Sequence, residues 1–133
     1  MLRAVASALR TALRAQDLVV RYGGDEFVVV LPATTLPVAQ AVLTRATQAV
    51  AELPVDMGAG VTMSVGVVRM PLAGSPDVAL ADADAAMYRA KRAGGNRVEG
   101  ALPEQPMRRR HGRRTPIEPV TDSFPRVLPR VSA

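Results

Sequence analysis

Two glycines followed by two adjacent carboxylates, Gly23-Gly24-Asp25-Glu26, lie between two runs of β-formers, Leu18-Val19-Val20 and Phe27-Val28-Val29-Val30-Leu31. Apolar strand-like runs on either side of a Gly-Gly-Asp turn predict a β-hairpin. The glycines permit positive φ and, lacking Cβ, let a ligand come close to the backbone. Two carboxylates at a turn need a cation or a solvated rim, because an unpaired charge is not stable in a dry sheet. Beside glycine amides they suit a divalent metal together with a phosphate chain. A plain polar hairpin turn explains Gly-Gly-Asp by itself equally well.

The other chemistry-bearing residues are mostly basic. Arg14 and Asp17 have the i,i+3 spacing of a helix-end ion pair worth a few tenths of a kcal/mol. Arg45 falls off the apolar face of its segment and reads as a solvated arginine. Lys91-Arg92 followed by Gly94-Gly95 is the composition of a basic last helical turn and a glycine stop. The single histidine, His111, falls in a tail, which effectively excludes His-based catalysis, and the absence of cysteine removes disulfides and thiolate metal sites.

The elements that must position these groups follow from periodicity. Leu2, Val5, Ala6, Leu9 and Leu13 mark one face of an amphipathic helix that opens with no capping residue ahead of it. After the hairpin and Pro32, a second helix carries Ala39, Val42, Leu43, Ala46, Ala49, Val50 and Leu53 inward, with Pro37 in its first turn. Pro54 closes it, and Gly58-Ala59-Gly60 ends the connection. Val61–Val68 reads as a strand bounded by Gly and Pro. Asp77 is the expected cap of a third helix that faces Leu80, Ala83, Met87 and Ala90 inward, and Arg97-Val98-Glu99 a short last strand. From Ala101 the periodicity stops. Six prolines and the run Arg108-Arg109-Arg110-His111-Gly112-Arg113-Arg114 predict a disordered basic tail.

The 133 residues suffice for one small domain, with a core of Val, Leu, Ala and Met because aromatics make up only 3%. Of the net charge of +5, residues 1–100 carry +1 and residues 101–133 carry +4, so the high pI belongs to the tail. Counterion release would give such a tail salt-sensitive affinity for nucleic acid or acidic lipid, but nucleic-acid binding is not expected as the main role. No apolar run approaches the roughly 18 residues of a membrane span, and no secretory pattern opens the chain, so the expected location is the cytoplasm.

The word Gly-Gly-Asp-Glu-Phe has a chance occurrence on the order of one in ten thousand at average residue usage. It resembles the signature of the GGDEF family, the diguanylate cyclases. Three further stretches are similar to family motifs in order and spacing: Arg14-x-x-Asp17 five residues before Gly23, Val61-Thr62-x-Ser64-x-Gly66-Val67, and Ala83-Asp84-x-Ala86-x-Tyr88-x-Ala90-Lys91. The resemblance implies an α+β fold, a ferredoxin-like or nucleotidyl-cyclase-like antiparallel sheet with packed helices, with residues 1–100 forming a partial domain and 101–133 the tail. It implies condensation of two GTP, one on each subunit of a homodimer, to cyclic di-GMP and two pyrophosphates, in bacterial signalling. Asp25 and Glu26 are then the catalytic and metal-binding carboxylates for Mg²⁺ or Mn²⁺, with their division of labour open. Gly23, Gly24 and Lys91 bind substrate phosphates. The family arginine that follows Lys91 is Gly95 here, with Arg92 or Arg97 as candidate substitutes. Arg14 and Asp17, assisted by Arg45, become an inhibitory site for the product: arginine forks onto phosphate or a guanine edge, and aspartate accepts from guanine N–H groups. The alternative is a catalytically silent cyclic di-GMP-binding regulatory module built on those three residues.

The resemblance also implies that the family's first strand and long helix are missing ahead of Met1, and with them a metal-binding aspartate and the guanine-recognising Asn and Asp. A misassigned start codon, a gene fragment, or a strand supplied by a partner fit this, the first two being favoured. The first strand of that fold lies inside the sheet. Its loss would leave unpaired backbone on its neighbours and forfeit on the order of 10 kcal/mol.

Overall fold

The computed structural model describes residues 1–54, 60–100 and 126–132. Helix α1 (Leu2–Ala12) opens on Met1 with no side-chain cap, and Val5 and Leu9 on its apolar stripe are buried. Strands β1 (Leu18–Gly23) and β2 (Glu26–Val30) form the expected hairpin. Helix α2 (Leu36–Ala51) buries Ala39, Leu43, Ala46 and Val50 of its expected face, and Val42 and Ala49 of that face are not buried. Strand β3 (Ser64–Met70) starts three residues later than the β-rich pattern suggests and runs on to Met70. Helix α3 (Pro76–Arg92) is followed by β4 (Arg97–Gly100). Its N-cap is Ser75, with Pro76 at the first helical position. Asp77 therefore lies in the first turn, beside the positive end of the helix dipole, rather than at the cap.

Residues 126–132, expected to belong to a disordered tail, form strand β5 (Arg126–Ser132). The rest of that tail, residues 101–125 with the arginine run and His111, lies outside the described residues, as do Gly58 and Ala59. The sheet order is β1-β2-β5-β3-β4, so β5 takes an interior position. It runs antiparallel to both neighbours, pairing Ser132–Arg130 with Glu26–Val28 and Ser132–Arg126 with Ser64–Met70. Residues 126–132 thus supply an interior strand of the sheet. Pro129 explains the unequal ladders. Pairing with β2 stops at Arg130, next to a residue that has no N–H to donate, while pairing with β3 continues past it. The sheet is antiparallel except for β3 and β4, which are parallel because α3 carries the chain across from one to the other.

Alternation along the strands gives the sheet two apolar faces. Phe27, Val29, Leu31, Val65, Val67 and Val131 join Val5, Leu9, Leu43 and Val50 in the main core under α1 and α2. On the opposite face, Val68 and Met70 pack with Ala79 and Ala83 of α3. That helix lies so close that a Cβ at Gly66 would collide with the Ala83 carbonyl and the Met87 amide.

Val131 is fully buried in the main core although it lies two residues from the end of the chain. Val131→Ala is expected to lower stability by about 2 kcal/mol. A urea unfolding midpoint equal to that of wild type would show that β5 does not hold its interior place.

Candidate functional site

The acidic turn is built by local chain geometry. Gly23 pairs with Glu26, so the connection is only Gly24-Asp25, and Gly24 adopts φ +49°. A Cβ on either glycine would meet nothing within 4 Å, so both turn glycines face open space. The guanidinium of Arg21 clamps the turn by donating from Nε and Nη2 to the Gly24 carbonyl at 3.0 and 2.8 Å. The register shifts between Arg21 and Gly23, leaving Tyr22 bulged out of the ladder. Asp25 is exposed at the tip, and Glu26 is half-buried where the strand begins.

Glu26 faces a cation supplied by β5. Nη2 of Arg130 donates to Glu26 Oε2 at 2.8 Å, and Nη1 lies 3.0 Å from Asp84 Oδ1 of α3. The guanidinium carbon sits 5.1 Å from the centroid of the Tyr22 ring, a cation–π distance. The Arg130 side chain is only 15% exposed, and its Nε is buried without a hydrogen-bond partner. Burial opposes its charge, but the hydrogen bond to Glu26 and the fields of Asp84 and Glu26 outweigh that, so its pKa is raised. One guanidinium therefore ties together the hairpin, the interior strand and the helix.

The basic end of α3 comes to the same end of the sheet. Gly66 lies beneath Ala83 and Met87, and Gly95 beside the Ser64 hydroxyl. Ser64 pairs with Ser132, which pairs with Glu26. Lys91 follows Asp84 by two turns on one helical face, roughly 10 Å along the axis, and is exposed. Of the candidates to replace the arginine absent at Gly95, Arg97 donates from Nε to the Gly95 carbonyl at 3.2 Å, and Arg92 is exposed.

Arg14, Asp17 and Arg45 converge elsewhere, around a cavity of about 80 Å³ between the end of α1, α2 and the segment that follows β2. The side-chain ion pair that their spacing suggests for Arg14 and Asp17 does not form. Asp17 Oδ2 instead accepts the backbone N–H of Arg14 at 2.8 Å, closing the turn after α1. Asp17 Oδ1 is buried without a partner.

Asp25 and Glu26 as arranged do not fit a resident divalent ion. Among the described residues no group of three or more His, Asp or Glu side chains converges on one point. The Glu26 carboxylate is already engaged by a positive charge, which would repel an incoming metal. Sequence reasoning singled out neither Asp84 nor Arg130 as a site residue. Asp84 sits inside a motif noticed for its helix, and nothing local to Arg130 reveals its partners.

Residues 1–97 match the family model described as diguanylate cyclase, GGDEF domain. The chain is 38% identical over 104 residues to diguanylate cyclase DgcP of Pseudomonas aeruginosa, an alignment covering 76% of this chain and 16% of that protein. It is 39% identical over 106 residues to response regulator PleD of Caulobacter vibrioides, covering 75% of this chain and 23% of that one. The chain thus spans about a fifth of the length of these curated relatives. A crystal structure of diguanylate cyclase SiaD in complex with its activator SiaC, from Pseudomonas aeruginosa, superposes with a TM-score of 0.70 at 38% identity. It covers 75% of this chain and 40% of that one. No helix among the described residues is long and apolar enough to cross a membrane.

The ion-pair cluster has a measurable weight. Glu26→Gln leaves Arg130 buried with only the half-exposed Asp84 opposite it and is expected to lower stability by about 1–2 kcal/mol. Urea denaturation at neutral pH measures this, and an unchanged midpoint would show that the pair carries no net weight.

Proposed function

Because the chain belongs to the GGDEF family of diguanylate cyclases, we propose that it presents the phosphate-facing part of a cyclase site that condenses two GTP to cyclic di-GMP and two pyrophosphates. The observation that supports this reading is that the Gly-Gly-Asp-Glu turn and the chain just after the basic last turn of α3 lie along one row of the sheet, Glu26–Ser132–Ser64, with Gly95 beside the Ser64 hydroxyl. A Cβ on Gly23 or Gly24 would meet nothing within 4 Å, so a phosphate chain has room to approach the turn backbone, where N–H groups would stabilise its charge. Lys91 neutralises terminal phosphate charge, and Asp25 with Glu26 withdraws the proton from the attacking ribose 3′-hydroxyl. Each 3′-oxygen bonds to the α-phosphorus of the other GTP, and pyrophosphate leaves. The two nucleotides lie on facing subunits, which requires a homodimer. Diguanylate cyclases of this family generally need divalent metals. Here the metal would be Mg²⁺ or Mn²⁺, which Glu26 could help hold only once free of Arg130.

In a domain extended at its N-terminus by the family's opening strand and guanine-binding helix, Mg-GTP is expected to give cyclic di-GMP. Asp25→Asn is expected to lower the rate by roughly 10²-fold or more, and Lys91→Ala by roughly tenfold. Chromatography of the nucleotide products reads this out. Full rate in Asp25→Asn would overturn the assignment, and cyclic di-GMP from residues 1–133 alone would show that the family's upstream metal and guanine ligands are not required.

A second reading is favoured by Asp17, which lines a cavity with Arg14 and Arg45 and whose Oδ1 is buried without a partner. These residues would take cyclic di-GMP, the arginines on phosphate or a guanine edge and Asp17 on guanine N–H groups. The same residues serve product inhibition in a cyclase or sensing in a silent module. Calorimetry with cyclic di-GMP is expected to show Arg14→Ala binding at least roughly tenfold more weakly than wild type. Equal affinities would remove the site.

A further inference from the structure

The acidic turn faces a positive charge that this chain carries itself. Arg130 reaches both Glu26 and Asp84 at hydrogen-bonding distance, and the ring of Tyr22 lies over it. Its backbone is held on both sides, paired with Val28 of β2 and with Gly66 of β3. Gly66 puts no side chain on that face, so α3 lies close enough for Asp84 to reach the guanidinium. The neighbouring Val131 is locked in the core on the opposite face, so Arg130 cannot leave by a slip of the strand.

We propose that Arg130 is the resident cation of the acidic turn, and that a divalent ion gains Glu26 only by expelling the guanidinium that β5 places there. The inference rests on reading the turn as a cation seat, but it concerns metal binding alone and involves no nucleotide. It gives Glu26 a cation of its own where, among the described residues, no convergent ligand set exists to hold a metal, while Asp25 stays exposed to solvent. It also makes β5 more than a structural strand. A guanidinium satisfies the carboxylates through directional N–H···O bonds and leaves no room for a second positive charge beside them. The state of β5 then decides whether Glu26 is available: held in the sheet, Arg130 keeps it, and withdrawn, Glu26 and Asp84 are released together.

The test uses the whole chain with metal salts alone, at matched ionic strength. Wild type is expected to show no rise in thermal midpoint in millimolar MgCl₂ relative to NaCl, and no Mn²⁺ binding by electron paramagnetic resonance that depends on Glu26. Arg130→Gln, checked for folding by circular dichroism, is expected to bind Mn²⁺ roughly tenfold or more tightly than wild type. That gain is expected to vanish in the Arg130→Gln/Glu26→Gln double variant. Saturable stabilisation of wild type by Mg²⁺, or wild-type Mn²⁺ binding lost in Glu26→Gln, overturns the proposal. So does a folded Arg130→Gln without a gain. Should Arg130→Gln not fold, the wild-type and Glu26→Gln measurements decide by themselves. Failure of the cyclase reading would appear in nucleotide turnover, which none of these measurements uses.

Discussion

A buried guanidinium between two carboxylates joins three elements that lie far apart in sequence. Arg130 meets Glu26 across 104 positions of chain and meets Asp84 on the helix that covers the sheet. Removing an arginine from water costs several kcal/mol, and the cost is met only where good partners are already in place. That condition specifies register. Were β5 to shift by one residue, Arg130 would turn toward the face where Phe27, Val29 and Val65 pack, with no carboxylate opposite it. Val131 would leave the core at the same step. The ion pair and the apolar packing therefore select the same register from opposite faces of the sheet.

What was legible in the sequence is what short-range periodicity encodes. Val5 and Leu9, Leu43 and Val50, and Ala83 and Met87 are buried where helical spacing places them. The hairpin follows from two valine-rich runs and a glycine pair. β5 was not legible, for physical reasons. Arg126-Val127-Leu128-Pro129-Arg130-Val131-Ser132 follows a proline-rich, arginine-rich stretch, and Pro129 argues against an interior strand. The proline is tolerated because the ladder to β2 ends beside it. A strand that closes a sheet between two partners far away in sequence has no local signature beyond the alternation of Val127, Pro129 and Val131.

The candidate site divides in the same way. Asp25, Glu26, Gly23, Gly24 and Lys91 stood out because their types and spacing form short words, and the fold brings the turn and the helix end to one end of the sheet. The words do not show what each side chain touches. Asp17 is the clearest example: spacing suggests a bond to the Arg14 guanidinium, yet its carboxylate takes the Arg14 backbone amide, which closes the turn without the entropic cost of ordering the long arginine side chain. Asp84 belonged to a recognised motif and still had no assigned role, because its partner lies on β5.

Completing the sheet and equipping the site are separate requirements, and here one strand bears on both. A strand with apolar residues on one face can fill the place between β2 and β3 largely regardless of its other side chains, because the ladder is made by backbone groups, proline excepted. The residue that such a strand turns toward Glu26 decides the electrostatics of the turn. A carboxylate there would gather three acids around one point, which only a cation of higher charge can hold together. Arginine gathers two acids around an internal cation and closes the set. The backbone of β5 meets the demand of the fold for an interior strand, while its side chain gives the acidic turn an ion pair in place of an open ligand set. One strand thus completes the ladder between β2 and β3 and, through Arg130, ties Glu26 to Asp84.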